Sequence, residues 1–245
     1  MGAAMLLIGL DLAWGEKNSD GVCLIRYARR RARILGYAYP HGDVSLIAAL
    51  GSHLQPDEPA FAAIDAPIVC PNPTGARPVD RLTHTLFHRE HAACHPANLT
   101  QCPRPPRVLA RLATDLGFVA GWHGSAPRLA AEVYPHPAMV RLFRLPRIIK
   151  YKKGPVADRR REFRRLQCLL RDLLATEFPI LTLDAETPAL LVAPWSKPVE
   201  DRTDALFCAL IALWHVHHRG TRTEILAALA TGFILLPSNL SAANA

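Results

Sequence analysis

The first hydrophobic stretch of the chain contains one acid. Residues 6–10 are Leu-Leu-Ile-Gly-Leu, Asp11 follows them, and Trp14-Gly15 ends the stretch. An apolar run of this length predicts a strand that is buried on both faces. A carboxylate in such a strand is costly unless a cation or a metal ion neutralises it. A turn cap or an arginine partner would explain Asp11 alone, so its interpretation depends on the other acids.

Two further strands are predicted directly after the first. Residues 21–27 and 34–39 are rich in β-branched and aromatic residues, and a basic turn at 28–33 separates them. This pattern predicts a hairpin, so the first three strands would form an antiparallel meander. Residues 43–45 can then cap a helix that runs to His53.

Acids recur in two later apolar strands. Residues 61–67 carry Asp65 and end at Pro67, and residues 128–135 carry Glu132 and end at Pro135. Proline cannot donate to a strand ladder, so each acid is expected near the carboxyl end of its strand. Because sites in open α/β sheets form beyond the carboxyl ends of strands, we expect these acids and Asp11 to share a site.

The remaining pattern predicts helices, with one proline-rich interruption at residues 68–106. We interpret this segment as an inserted helical lid over the site, with a helix at 79–93. Further helices are predicted at 107–118, 136–143, 157–175, 200–217 and 223–230, with a helix and loops at 178–198 and a short strand at 232–237. Strands and helices arranged in this order over residues 1–245 predict a single α/β domain.

Two more acids open the predicted helix at 200–217. Asp201 and Asp204 are three residues apart, so both carboxylates lie on one helical face. Capping of the helix N-terminus accounts for one acid but poorly for two.

The positive charge of the chain is concentrated in one segment. There are 29 Lys and Arg against 21 Asp and Glu, a formal net charge of +8, and residues 141–171 alone contribute +10. This segment is either a binding surface for an anionic partner or a solvated helix face.

Other features of the composition indicate a cytoplasmic protein. No apolar run reaches the roughly 18 residues of a membrane span, and no basic flank precedes the first apolar run. The six cysteines are scattered without a CxxC pair, which favours reduced thiols.

Several carboxylates that converge without cations would repel one another and raise their own pKa values. Hard divalent cations remove this conflict, because Mg²⁺ binds carboxylates, waters and substrate phosphates. Two such ions about 4 Å apart can act on the attacking and leaving oxygens of a phosphodiester. The sequence therefore predicts a Mg²⁺ or Mn²⁺ site formed by the five acids, namely Asp11, Asp65, Glu132, Asp201 and Asp204.

The order and spacing of six short motifs support a specific resemblance. The motifs are Gly9-Leu10-Asp11, Ile64-Asp65-Ala66-Pro67, Arg77-x-x-Asp80, Glu132-Val133-Tyr134-Pro135, Tyr151-Lys152 and Asp201-x-x-Asp204-Ala205. Together they resemble the DUF429 family of predicted ribonuclease H-like nucleases, and the Asp201/Asp204 pair is similar to the final-helix pair of RuvC-type resolvases. In one departure, the wider fold often has a glutamate on its first helix, where this chain has only Asp43.

The resemblance implies a ribonuclease H-like fold, in which three antiparallel strands and then parallel strands form a mixed sheet with flanking helices. It implies a metal-dependent nuclease acting on DNA or RNA, with Asp11, Asp65, Glu132 and Asp204 as catalytic residues and metal ligands and Asp201 as a further ligand. Contacts to substrate are expected from Arg77, Lys150, Tyr151, Lys152, Lys153, Arg160 and Arg164.

Three alternatives remain open. A non-catalytic module could keep the fold and use the basic segment to bind nucleic acid or a protein. An ATP-dependent phosphotransferase is disfavoured, because residues 11–15 contain one glycine where such enzymes need a glycine-rich phosphate loop. His84, His88, His91 and His95 could line one helical face and hold zinc, or they could lie at the surface or contact substrate.

Aromatic residues for base stacking are few (Tyr151 and Phe163), so no prediction is made of whether the nucleic acid is single- or double-stranded. The sequence also predicts no oligomeric state.

Overall fold

The computed structural model describes residues 4–238, which form an α/β fold around a seven-stranded mixed sheet. Its strands are β1 (Met5–Asp11), β2 (Gly21–Ala28), β3 (Arg31–Ala38), β4 (Ala60–Ile64), β5 (Val119–Ala120), β6 (Arg128–Glu132) and β7 (Leu181–Thr182). Strands β1, β2 and β3 form the antiparallel meander, and β4, β6 and β5 continue the sheet in parallel from β1. The predicted α/β class and the antiparallel-then-parallel sheet are confirmed.

The helices of the described residues flank this sheet. They are α1 (Asp43–Gly51), α2 (Pro78–Phe87), α3 (Arg104–Leu116), α4 (Pro135–Leu142), α5 (Val156–Glu177), α6 (Glu186–Leu190) and α7 (Lys197–His217). A separate hairpin of β8 (Thr223–Ala228) and β9 (Gly232–Pro237) follows.

Four predicted details need correction. Residues 223–228 form β8 rather than a helix, because pairing with β9 overrides the helix propensity of the local Leu and Ala residues. Helix α2 ends at Phe87, and His91 has a φ of +60°, so the four histidines do not share a helical face. Asp43 does not cap α1, whose N-cap is Gly42; it binds Arg104 and Arg107 instead. Helix α7 begins at Lys197, which places Asp201 and Asp204 beyond its first turn.

The pleat of the sheet determines which side each acid faces. Leu6, Ile8 and Leu10 on β1 pack in the core that includes α1 and α3, whereas Leu7 packs in the larger core with α5 and α7. Because side chains alternate along a strand, Asp11 lies on the α7 side with Leu7. The same alternation on β4 places Asp65 on the α7 side, together with Phe61 and Ala63.

Helix α7 lies unusually close to the sheet because two glycines face it. A Cβ atom added to Gly9 would lie 2.1 Å from the carbonyl oxygen of Ala205 and 2.2 Å from the amide nitrogen of Ala209. One added to Gly21 would lie 2.2 Å from the carbonyl oxygen of Asp201. The backbone of α7 therefore rests on β1 and β2 directly, next to the end of β1 that carries Asp11.

Two further expectations can be compared with the described part of the chain. None of its helices combines the length and apolar character needed to cross a bilayer. All six cysteines are free, as the absence of a CxxC pair suggested. The first three and last seven residues of the predicted single domain lie outside the described range.

We predict that Gly9→Ala destabilises the fold by about 3 kcal/mol or more, because the new methyl group meets helix backbone that cannot rotate away. Chemical denaturation measures this change. The matched control is Gly15→Ala, since a Cβ at Gly15 has no atom within 4 Å and should leave the free energy of unfolding nearly unchanged. Equal stability of the two variants would contradict the close contact.

Candidate functional site

Asp11 and Asp65 lie side by side at the carboxyl ends of two parallel strands. Leu10 on β1 pairs with Ile64 on β4, and the amide of Asp65 donates to the carbonyl of Leu10 at 2.9 Å. Both side chains are partly exposed. Within residues 4–238, neither carboxylate accepts a hydrogen bond or forms an ion pair. Their oxygens are therefore available to a ligand.

Asp204 approaches the same place from α7 and is fully buried. Its Oδ1 accepts a 2.6 Å hydrogen bond from the hydroxyl of Tyr151. Its Oδ2 lies 2.8 Å from Nζ of Lys152 as an ion pair, but this oxygen accepts no hydrogen bond. One oxygen of Asp204 is thus only partly satisfied by the protein.

Burial is the largest cause of the raised pKa values of Asp11 and Asp65, and neighbouring charges modify both. Burial raises the pKa of Asp11 well above its usual range; Lys152 opposes this, while Asp204, Asp65 and Asp201 add to it. Burial, with a smaller contribution from Asp204, raises the pKa of Asp65 to about 6, again opposed by Lys152. A single ammonium group, that of Lys152, therefore interacts with three acidic side chains, which are Asp204, Asp11 and Asp65.

The chemistry of the site fits a hard divalent cation. All the available donors are carboxylate oxygens, which Mg²⁺ and Mn²⁺ prefer, and Oδ2 of Asp204 lacks a hydrogen bond. Among the described residues, no three His, Cys, Asp or Glu side chains already form a coordinating cluster. Asp204 would have to turn from Lys152 toward Asp11 and Asp65 to bind such an ion with them.

Glu132 is not brought to these acids, although it also ends a parallel strand. Its register partner on β4 is Ile64, not Asp65, so its side chain leaves the sheet on the opposite face. There its two oxygens accept 2.7 Å hydrogen bonds from Nη1 and Nη2 of Arg77. The structure thus gives Glu132 an arginine partner where the sequence predicted a metal.

Arg77 is correspondingly buried rather than available to substrate. Besides Glu132, its guanidinium binds Asp80 at 2.9 Å and the carbonyl of Val69 at 3.0 Å. Oδ2 of Asp80 also accepts the backbone amides of Arg77 and Ala97, both at 2.9 Å. This buried ion cluster of Arg77, Asp80 and Glu132 joins the inserted segment to the end of β6, which is a structural role in place of the predicted phosphate contact.

Asp201 is close to the site but occupied. Its Oδ2 accepts a 2.9 Å hydrogen bond from Tyr39, and its Oδ1 accepts one of 2.6 Å from Lys197. It adds to the electrostatic repulsion on Asp11, yet both of its oxygens already have protein partners. Tyr39 and Lys197 were not among the predicted site residues, and no motif singles them out.

The basic residues predicted to contact substrate fall into two groups. Tyr151 and Lys152 are within the carboxylate site, as described above. Lys150 and Lys153 are exposed and line a cavity of about 410 Å³ together with Arg147, Arg161 and the acids Asp158 and Glu162. Arg160 and Arg164 are exposed on α5 and have no ion-pair partner within the described residues. These exposed cations are placed to bind an anion.

Much of the remaining basic segment is paired within the protein. Arg161 binds Asp158 at 2.8 Å, and Arg141 binds Glu224 at 2.7 Å. The guanidinium of Arg159 lies 4.6 Å from the ring centroid of Trp195. The charge available to a partner is therefore smaller than the +10 of residues 141–171 suggests.

The inserted segment contacts the loop that carries these lysines. The amide of Ile148 donates to the carbonyl of Glu90 at 2.9 Å, and Nζ of Lys153 lies 3.3 Å from Nε2 of His95.

His136, which sequence analysis missed, lies near Tyr151 of the site, with 6.3 Å between the ring centroids. Its Nδ1 lies 3.2 Å from the hydroxyl of Tyr134. Burial and Lys152 lower the pKa of His136 to about 4, so it is neutral at physiological pH. Its sequence environment contains no signal for this position.

We predict that Asp65→Asn stabilises the metal-free protein, and more so at pH 7 than at pH 4.5. Because the pKa of Asp65 is raised in the folded state, its protonation favours the folded protein at a pH below its unfolded pKa of about 4. This contribution to the free energy of unfolding is lost as the pH rises through 6. The gain at pH 7 should be on the order of 2 kcal/mol. Urea unfolding of both proteins in EDTA across this pH range measures it, and a pH-independent difference would contradict the burial of a charged Asp65.

We predict that Glu132→Gln destabilises the fold by about 3 kcal/mol, because it removes one partner of a buried charge. The exposed pair of Glu16 and Arg107 provides the matched control, and Glu16→Gln should cost less than about 1 kcal/mol. Urea unfolding compares the two variants. If Glu132→Gln were instead as stable as the parent, the ion cluster would not be the role of this residue.

Comparison with known proteins identifies one family. The model of the family described as "Protein of unknown function (DUF429)" matches residues 9–228. No curated protein and no solved structure matches the chain.

Proposed function

Since the chain belongs to the DUF429 family and the ends of β1 and β4 carry two acids with no ion-pair partner within the described residues, we propose that it is a divalent-metal-dependent nuclease with a ribonuclease H-like fold. One observation carries the proposal. Asp11 and Asp65 have no hydrogen-bond or ion-pair partner within the described residues, and Asp204 on α7 lies close enough to raise the pKa of both. Such an arrangement costs stability and is explained by a cation that the protein binds.

The order of elements supports the finer fold assignment. Three antiparallel strands, a helix and then parallel strands, followed by a late helix that returns an acid to the first strand, is the arrangement implied by the ribonuclease H-like resemblance. Fold alone does not establish an activity, so the proposal depends on the site.

In this proposal Asp11, Asp65 and Asp204 hold Mg²⁺ or Mn²⁺, and Asp201 and Glu132 are not ligands. When bound, the ions would supply Lewis-acid activation of a phosphodiester and of the attacking water. Tyr151 fixes the orientation of Asp204 through its 2.6 Å hydrogen bond. Lys152 forms an ion pair with Asp204, and it would be released to bind a substrate phosphate if Asp204 held a metal ion instead.

The exposed cations beside the site give the substrate class. Lys150, Lys153, Arg160 and Arg164 are exposed and would hold phosphates of a nucleic acid. Such contacts provide affinity and salt dependence without sequence preference.

A non-catalytic nucleic-acid-binding module on the same fold is the second candidate. It is favoured by the Lys152–Asp204 ion pair, which already neutralises one of the three acids without a metal. The two candidates differ in what a divalent cation does to the protein.

We predict opposite effects of Asp11→Asn in the absence and presence of metal. In EDTA the variant should melt at a higher temperature than the parent, because like-charge repulsion and the desolvation of one carboxylate are removed. Saturating Mg²⁺ or Mn²⁺ should stabilise the parent, by about 2.7 kcal/mol at 100 times the dissociation constant, and should stabilise the variant much less. Thermal unfolding in the two conditions measures both effects.

The same proteins should differ in cleavage. The parent should hydrolyse a mixture of single- and double-stranded DNA and RNA with Mg²⁺ or Mn²⁺ but not with EDTA, and Asp11→Asn should lose this activity. Asp172→Asn, an exposed acid on α5, is the control that should retain it. Binding of nucleic acid without cleavage, unchanged in Asp11→Asn, would favour the module instead.

A further inference from the structure

Trp14 differs from the other tryptophans of the chain. It is 38% exposed and is the only aromatic residue among the exposed large hydrophobic residues of the described range. Trp122 packs on Phe233, Trp195 lies under Arg159, and Trp214 packs on Phe178. Within residues 4–238, the ring of Trp14 has no aromatic, cationic or hydrogen-bonding partner.

The backbone on both sides of Trp14 is nevertheless fixed. Nη1 of Arg104 donates to the carbonyl of Ala13 at 2.6 Å and to that of Gly15 at 3.4 Å. Arg104 is itself buried, with ion pairs to Asp20 at 2.6 Å and Asp43 at 2.8 Å. Oδ1 of Asp20 also accepts the amide of Ala13 at 3.0 Å. The exposed ring therefore projects from a loop that one buried guanidinium anchors.

The loop of Trp14 follows the carboxyl end of β1, the same strand end that carries Asp11. Residues 12–20 connect β1 to β2, and the two strands meet at the pair Asp11 and Gly21. Trp14 is thus three residues from a proposed metal ligand. The helix that supplies its anchor, α3, packs on the opposite face of the sheet from α7, so the loop and Lys152 approach this strand end from different sides.

Isolated exposed hydrophobic residues are normal on protein surfaces, and exposed aliphatic residues of this chain such as Val44 and Val192 need no explanation. Trp14 combines three features that those residues lack: a flat aromatic surface, an anchored backbone and a place in the loop that begins directly after Asp11. An exposed aromatic ring on a fixed backbone, in the loop that follows a proposed metal ligand, is suited to stacking on a nucleobase.

We propose that Trp14 stacks on an unpaired nucleobase next to the scissile phosphate, which makes single-stranded nucleic acid the preferred substrate. This inference rests on the proposed nuclease function and extends it to the substrate class. A base within a duplex already stacks on its neighbours and presents only its edges, so it cannot occupy the ring of Trp14. The exposed lysines at 150 and 153 would hold the backbone of the same strand.

Binding in EDTA, where cleavage is absent, tests the inference. The probes are a fluorescent single-stranded deoxyadenosine dodecamer and the same strand in a duplex, followed by anisotropy at low ionic strength. Trp14→Ala should weaken binding of the single strand about 5- to 150-fold and binding of the duplex less than about twofold. Trp14→Phe, which keeps an aromatic ring, should recover most of the single-strand affinity and covers the case in which the alanine variant fails to fold.

Two further measurements locate the contact. The unlabelled single strand should quench the intrinsic fluorescence of the parent and of Trp122→Phe, the matched control at the opposite end of the sheet, but not that of Trp14→Phe. In a series of strands with one abasic position each, the effect of Trp14→Ala should vanish at a single position, because the stacked base is then missing.

The outcomes separate this inference from the proposed function. Unchanged single-strand affinity in Trp14→Ala, or equal losses for single strand and duplex, overturns the stacking role while leaving the nuclease proposal in place. If the parent binds neither probe in EDTA, the stacking role is wrong, and cleavage with Mg²⁺ or Mn²⁺ still decides the nuclease proposal. Quenching that persists in Trp14→Phe also overturns the stacking role.

Discussion

The close contact between α7 and the glycines of β1 and β2 determines the geometry of the site. A helix that packs on ordinary side chains lies about 10 Å from a sheet, and its short acids could not reach the strands beneath it. Gly9 and Gly21 remove that separation, since an added Cβ would come within 2.2 Å of the helix backbone. Asp204 can therefore face Asp11 through a short side chain. The alternation of β1 and β4 then decides which acids meet it.

The electrostatics of the site follow from this packing. Three carboxylates share one ammonium, and burial raises the pKa of both strand acids. The fold accepts this repulsion at the carboxyl ends of its strands, where a bound cation would remove it. The basic residues are exposed, whereas the acids of the site are buried or partly buried. A nucleic-acid backbone can therefore reach the basic residues without displacing the acids. Stability and proposed function are thus opposed in the same three residues.

Part of this arrangement could be predicted from sequence, and the reasons are local. Asp11 and Asp65 each lie at the end of an apolar strand pattern and Asp204 directly precedes an apolar helix pattern, and buried strands or helices have few ways to accommodate an acid. Glu132 shows where such reasoning fails, because it precedes its terminating proline by three residues and Asp65 precedes its proline by two. This difference of one residue places the two side chains on opposite faces of the sheet. The face of each acid follows from the pairing register of β4 and β6, which a single sequence does not reveal.

Strand β8 and the short α2 depend on tertiary contacts that no local pattern contains. The apolar pattern places Trp14 at the end of a buried strand, whereas in the structure it lies in the loop after β1, whose backbone accepts a hydrogen bond from the distant Arg104.

The buried ion cluster of Arg77, Asp80 and Glu132 has an evolutionary consequence. Each member satisfies charges of the others, so replacing one leaves an uncompensated charge in the interior, while replacing the whole cluster by apolar residues of similar volume need not be costly. Intermediates between these two states are the least stable sequences. Related chains should therefore inherit these positions together or exchange them together, and co-variation of the three would trace which lineages keep the inserted segment attached to the sheet.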